Sequence, residues 1–68
     1  MRISARNVLR GKIVEVIRGA TTAHVKIDIG GTVVTSSITN AAVDDLGLAP
    51  GKDAYAVVKA SDVMIGID

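Results

Sequence analysis

Sixty-eight residues hold one domain at most, and no cysteine is present to staple it or to supply a thiolate metal site. The formal net charge is only +1 and Tyr55 is the sole aromatic residue, which excludes both the basic field and the stacking surface that a nucleic-acid binder needs. No apolar run reaches the roughly 18 residues of a membrane span, and Met1–Asn7 lacks the apolar stretch of a secretory signal, so a cytoplasmic location is the expectation.

Taken in chain order, β-branched residues dominate. Ile3–Leu9 and Lys12–Arg18 are two strand candidates, parted near Arg10-Gly11. Ile13–Ile17 is apolar on both faces except for Glu15, which predicts cover from its own core and from a neighbour. Gly19-Ala20-Thr21 connects to Ala23–Ile29, where Ala23, Val25, Ile27 and Ile29 share one face and His24, Lys26 and Asp28 the other. Gly30-Gly31 then leads into Thr32–Ile38, and two β runs joined by glycines able to adopt positive φ read as a hairpin.

The pattern changes at Thr39. A threonine N-cap, Val43 and Leu46 on one face, and Gly47 as terminator predict a helix of about two turns, with Leu48 packing back. Pro50-Gly51 makes the next turn. Ala54–Ala60 and Val63–Ile67 complete the strands, broken near Ser61-Asp62. The reading is all-β with one short helix, a small OB-like β-barrel of five or six strands spanning residues 1–68 as one domain. A barrel this small buries only about 60% of its unfolded surface. With 49% hydrophobic residues to hide, an intimate homo-oligomer follows as the expected partner.

Two polar patches stand out at opposite ends. Ser4-Ala5-Arg6-Asn7 and Lys59-Ala60-Ser61-Asp62 each carry a hydroxyl and a cation two residues apart. In extended strands such pairs share a face, so each patch can aim both donors at one point, a set suited to a small oxyanion. The bland alternative is a solvated edge strand. His24 beside Lys26 reads as a solvated histidine, since a metal site needs more ligands. A Ser36–His24–Asp28 triad is arithmetically possible but nothing specifies its geometry, and no catalytic signature is present. Asp44-Asp45 reads as a solvated helix face.

These blocks carry a resemblance. Ser4–Asn7 followed by Leu9-Arg10-Gly11-Lys12-Ile13, then Val34–Thr39, then Tyr55–Gly66, is similar to the molbindins, small molybdate-binding proteins of the Mop or TOBE type. The match covers essentially the whole chain. The same domain occurs fused in molybdate-responsive regulators and transporter ATPases, and the sequence resembles the free-standing form, with room for neither a helix-turn-helix nor a P-loop.

The resemblance implies a hexamer, a trimer of dimers, with no organic cofactor, and the missing catalytic signature makes a protein that is not an enzyme the expectation. It implies molybdate or tungstate held between subunits, the metal bound only as its oxyanion, for intracellular storage or homeostasis. The family motif carries over onto Ser4, Arg6, Lys59, Ala60 and Ser61 as the main pocket. Thr35, Ser36 and Ser37 match the block that reaches the oxyanion from a neighbouring subunit. Two other functions compete: an oligonucleotide-binding barrel, by fold analogy alone, and a structural assembly module with the polar patches as its rim.

Overall fold

The spine of the molecule is β1 (Asn7–Arg18), its longest strand. It pairs antiparallel with β2 (Thr22–Asp28) on one side and β4 (Asp53–Val58) on the other. β3 (Val33–Thr39) joins the outer edge of β2, giving the order β3-β2-β1-β4. A helix, α1 (Asn40–Leu46), links β3 to β4, and a 3₁₀ turn covers Ala60–Asp62. The computed structural model describes all 68 residues.

The all-β class with one short helix stands, but the chain alone forms a curled half-barrel of four strands and not a closed barrel of five or six. The curl brings β3 and β4, which share no hydrogen bonds, to the two sides of a common groove. One expected strand, Ile3–Leu9, is shortened and merged into β1, and another, Val63–Ile67, is absent. The ladder begins only at Asn7, so Ile3–Arg6 lie outside it, and Val63–Ile67 have no partner strand within the chain.

The expected break at Arg10-Gly11 is also absent, because Gly11 serves close approach and not a turn. It pairs with Ala54 in mid-strand, and a Cβ there would run into the Asp28 carbonyl oxygen and lie 2.7 Å from Ile27 Cγ2. The missing side chain lets the end of β2 lie tightly over β1.

A second departure explains the two-faced apolar run. Ile13 pairs with Ile27 but Glu15 pairs with Lys26, which leaves Val14 as the extra residue of a β-bulge. The bulge shifts the inward face from odd to even positions. Ile13 and Val16 both reach the core, and Glu15 turns out to meet Lys26 at 3.5 Å. Val14 and Ile17 are left exposed on the outer face, uncovered by the chain itself.

The hairpin and helix follow the sequence closely. Gly30 and Gly31 take φ of 110° and 102°, and both donate their N–H to Asp28 Oδ1, at 2.9 and 2.8 Å. Thr39 Oγ1 accepts from Ala42 N–H at 3.1 Å, and Gly47 ends the helix at φ 62°. Pro50 and Gly51 form the centre of a turn in which Lys52 N–H donates to the Ala49 carbonyl, and Gly51 takes φ 91°, as a type II turn requires.

The core is small. Ile13, Ala23, Val25, Ile27, Val43 and Ala56 are the only buried residues, while fourteen large hydrophobic side chains remain exposed. A chain with that imbalance has apolar surface left for a partner to cover.

This packing makes Gly11 a sensitive position. Gly11→Ala is expected to destabilise the fold by about 1–3 kcal/mol through overpacking, whereas Gly66→Ala, with open space around it, is expected to be near neutral; urea unfolding of both variants measures the difference. A further prediction concerns acid. Asp28 is held below the ordinary carboxylate value of 3.8 by the Gly31 and Gly30 N–H groups, and Asp53 likewise by its hydrogen bond to Lys12 and the charge of Lys12. A depressed folded-state pKa contributes stability that is complete above the unfolded value and lost as pH falls through the folded one. Melting temperature should therefore drop as pH is stepped below 3.8, and less so in the Asp28→Asn variant.

Candidate functional site

Antiparallel pairing of β1 with β4 brings the two polar patches to the same end of the sheet. The last pair of that ladder is Asn7 with Val58, and Asn7 Nδ2 donates to the Val58 carbonyl at 3.2 Å, across a sequence separation of 51 residues. Arg6 and Lys59 are the next residues outward on the two strands. The N-terminal patch thus lies beside the C-terminal one, which the sequence left open.

Local geometry differs from the extended form that the spacing predicted. Ser4 and Arg6 sit at bends. Lys59 is extended, but Ala60–Asp62 wind into the 3₁₀ turn, in which Asp62 N–H donates to the Lys59 carbonyl at 2.8 Å and Val63 N–H to that of Ala60 at 3.3 Å. The same-face argument for i and i+2 therefore does not hold at either patch. The turn offers something else: its first N–H groups, those of Ala60 and Ser61, have no acceptor within it.

The donors are unspent. The side chains of Ser4, Arg6, Lys59 and Ser61 are exposed and make no hydrogen bond or ion pair within the chain. Three other cations are already engaged: Lys12 meets Asp53 at 3.0 Å, Arg18 meets Asp44 at 2.7 Å, and Lys26 meets Glu15. Asp62, the acid nearest in sequence, is exposed and pairs with neither cation of the patch. Arg6 and Lys59 thus flank the last pair of the ladder, with Ser4 and Ser61 two residues further along the chain on each side, and none of the four side chains has an acceptor of its own.

Thr35, Ser36 and Ser37 lie on β3, opposite Lys26, Val25 and His24. Ser36 is half-buried, while Thr35 and Ser37 are exposed. Thr35 and Ser36 line a cleft of about 210 Å³ whose far wall is Tyr55–Val58, so they look across at the residues leading into Lys59. Ser37 does not line it. No cavity of the single chain is lined by Ser4, Arg6, Lys59, Ala60 or Ser61. A single copy therefore presents the donors without enclosing them.

Other candidates fall away. The largest hollow, about 500 Å³, lies by the Gly30-Gly31 hairpin and contains Asp28 and Asp53, carboxylates that repel an anion. Lys12 and both glycine N–H groups there are already bound by those acids. A smaller hollow of about 160 Å³ joins Arg18, Gly19, Thr22 and His24, but Arg18 is taken by Asp44. His24 and Asp28 make no hydrogen bond to each other, and Ser37, not Ser36, faces His24. The triad is therefore not formed. No group of three or more His, Asp or Glu gathers to hold a metal ion. Asn7 is the contributor that residue chemistry alone did not single out; its role as a tie depends on a strand pairing no local pattern encodes.

Comparison with known proteins gives concordant matches. The TOBE domain family model matches residues 3–65. A probable molybdenum-pterin-binding protein of Haemophilus influenzae is 51% identical, with all of both chains aligned. Among solved structures, a molybdate-binding protein from Sporomusa ovata superposes with a TM-score of 0.94 at 36% identity, covering 98% of this chain and 100% of that one. The cytoplasmic molybdate-binding protein ModG, with molybdate bound, gives a TM-score of 0.95 at 45% identity; all of this chain matches 49% of ModG.

Proposed function

Because the chain belongs to the TOBE-domain family, as a molbindin-type member, we propose that its 68 residues act as one domain that binds molybdate, and tungstate with it, between copies of itself. It catalyses no reaction. Its role is to hold the oxyanion in the cytoplasm, as a store or buffer, in a hexamer built as a trimer of dimers. The observation that carries this reading is the meeting of two unspent cations and two hydroxyls at the β1–β4 end.

Molybdate is a tetrahedral dianion whose four oxygens only accept hydrogen bonds at neutral pH. A good site offers donors and no carboxylate. Arg6 supplies a rigid fork and Lys59 a mobile point charge. Ser4 and Ser61 donate hydroxyls, and Ala60 has little to give beyond its backbone N–H, which a methyl side chain leaves accessible. Charge-assisted bonds are about twice as strong as neutral ones, so the two cations dominate.

A lone copy lacks enclosure, since none of these five residues lines a cavity. A second copy placed against this end excludes water and adds donors; Thr35, Ser36 and Ser37 on the edge strand β3 are the set we assign to that contribution. A ligand bound only by the assembled form then stabilises assembly by mass action. Sulfate has the same charge and shape, so selection rests on the size of the completed cage.

Calorimetric titration with sodium molybdate is expected to give saturable binding, with sodium sulfate giving little heat. Equal response to both anions, or none to either, overturns the reading. Arg6→Ala should weaken molybdate binding about ten- to a hundredfold, the loss expected for one hydrogen bond to a charged group. If the patch were only the rim of an assembly module, that variant would leave anion uptake unchanged.

A further inference from the structure

One side-chain hydrogen bond lies at the Arg6 and Lys59 end of the sheet, and it is made by a residue that the anion chemistry leaves unused. Asn7 Nδ2 donates to the Val58 carbonyl at 3.2 Å. The other side-chain hydrogen bonds lie along the body of the sheet, in the Gly30-Gly31 hairpin, or around α1. No ion pair joins the two patches either. Apart from the backbone ladder, this amide is the tie between them.

Its place in the ladder gives it leverage. Asn7 and Val58 are the last pair of β1 with β4, and the chain changes course just beyond them. Arg6 sits at a bend, while Lys59, at φ −65° and ψ 138°, leads into the 3₁₀ turn. Backbone pairing therefore stops one residue short of both cations. Strand ends fray before strand centres, so this last pair governs how far Arg6 and Lys59 drift apart. Both residues of the pair are half-buried, which shields the bond from water. Val58 also lines the cleft that Thr35 and Ser36 face. One amide thus fixes the N-terminal patch to the strand that carries Lys59.

We propose that Asn7 is a positioning residue for the anion site, acting through Val58 to hold Arg6 and Lys59 at a spacing that one small oxyanion bridges. This rests on the molybdate-binding reading above and deepens it. Two charged donors on separate strand ends bind a single ligand best when they are placed before it arrives, since less freedom is then lost on binding. An amide suits the task chemically. It donates a hydrogen bond, and being neutral it leaves both cations unspent. An aspartate at this position could not donate to the carbonyl. Its charge, next to Arg6 in the chain and one step from Lys59 across the ladder, would engage those cations and repel the anion.

Calorimetric titration of the full chain with sodium molybdate tests this, with circular dichroism recorded for every variant. Asn7→Ala is expected to weaken binding about tenfold, as loss of one partly buried hydrogen bond allows, with the circular dichroism of the fold retained. Asn7→Asp should weaken it further. The chain's second asparagine serves as the control: Asn40 Nδ2 donates to the Gly19 carbonyl at 3.0 Å, beyond the opposite end of β1, and Asn40→Ala should leave the affinity unchanged. In a Lys59→Met background, Asn7→Ala should cost little more, because no pair of cations is left to hold together. Wild-type affinity in Asn7→Ala overturns the proposal and leaves molybdate binding standing. Equal losses in Asn7→Ala and Asn40→Ala, or a fully additive loss with Lys59→Met, also overturn it, since Asn7 then acts through general stability or independently of Lys59. Loss of the fold's circular dichroism in Asn7→Ala overturns it as well, because the tie is then needed for folding itself. No molybdate binding by the unaltered chain overturns both readings.

Discussion

Everything the site offers depends on the pairing of β1 with β4. That ladder joins residues more than forty positions apart and holds Arg6 and Lys59 at one end of the sheet. Closing a loop of that length has an entropic cost, but the cost grows only slowly with length. It is met by six successive residue pairs, by the Asn7 amide on the Val58 carbonyl, and by the Pro50-Gly51 turn, whose backbone continues the ladder through Ile13. Gly11 contributes from a distance. Without its bare Cα, the end of β2 could not lie so close to β1, and β1 could not run unbroken between both neighbours.

The electrostatics then divide the cations into two groups. Lys12, Arg18 and Lys26 each lie beside a carboxylate on a neighbouring element, as exposed pairs of small individual worth. They occupy three of the seven acids, Asp53 and Glu15 on the sheet and Asp44 on α1. Of the five cations without an ion pair, Arg2, Arg6, Arg10, Lys52 and Lys59, Arg6 and Lys59 are the two that flank the Asn7–Val58 pair. A chain of net charge +1 can thus present a local positive end without a basic surface overall. That arrangement suits a small compact anion and gives no continuous track for a polyanion.

What the sequence made legible was local. The Gly30-Gly31 hairpin, the Thr39 cap, the Gly47 terminator, the Pro50-Gly51 turn and the inward face of β2 are each decided by a few adjacent residues, and each was found where expected. The misreadings share one cause, which is non-local. Gly11 looked like a break because its reason, the approach of Asp28 and Ile27, comes from another strand. The Val14 bulge was hidden because Ile13–Ile17 is apolar at four of five positions, so two registers fit the pattern equally well. The strand expected at Val63–Ile67 has the right residues but no partner within the chain. At the candidate site, residue chemistry marked Ser4, Arg6, Lys59 and Ser61 and the resemblance added Ala60, Thr35, Ser36 and Ser37, but only strand order could bring the two patches to one end, and the bends at Ser4 and Arg6 replaced the extended geometry that spacing implied.

The same non-locality joins the small core to the open site. With six residues buried, the folded chain is left with apolar edges and an unfilled groove. These 68 residues contain no cysteine to staple them and do not cover the edges themselves. On the proposed reading, a second copy seated at this end would cover apolar surface and enclose the groups of Arg6 and Lys59 together. Folding, association and ligand capture would then be linked equilibria. An anion that filled a site shared between copies would raise the population of the assembled form, and assembly would in turn raise affinity for the anion, as reciprocity of binding free energies requires. Marginal stability of the lone chain is, on this view, what lets a ligand of a few atoms govern the state of the whole.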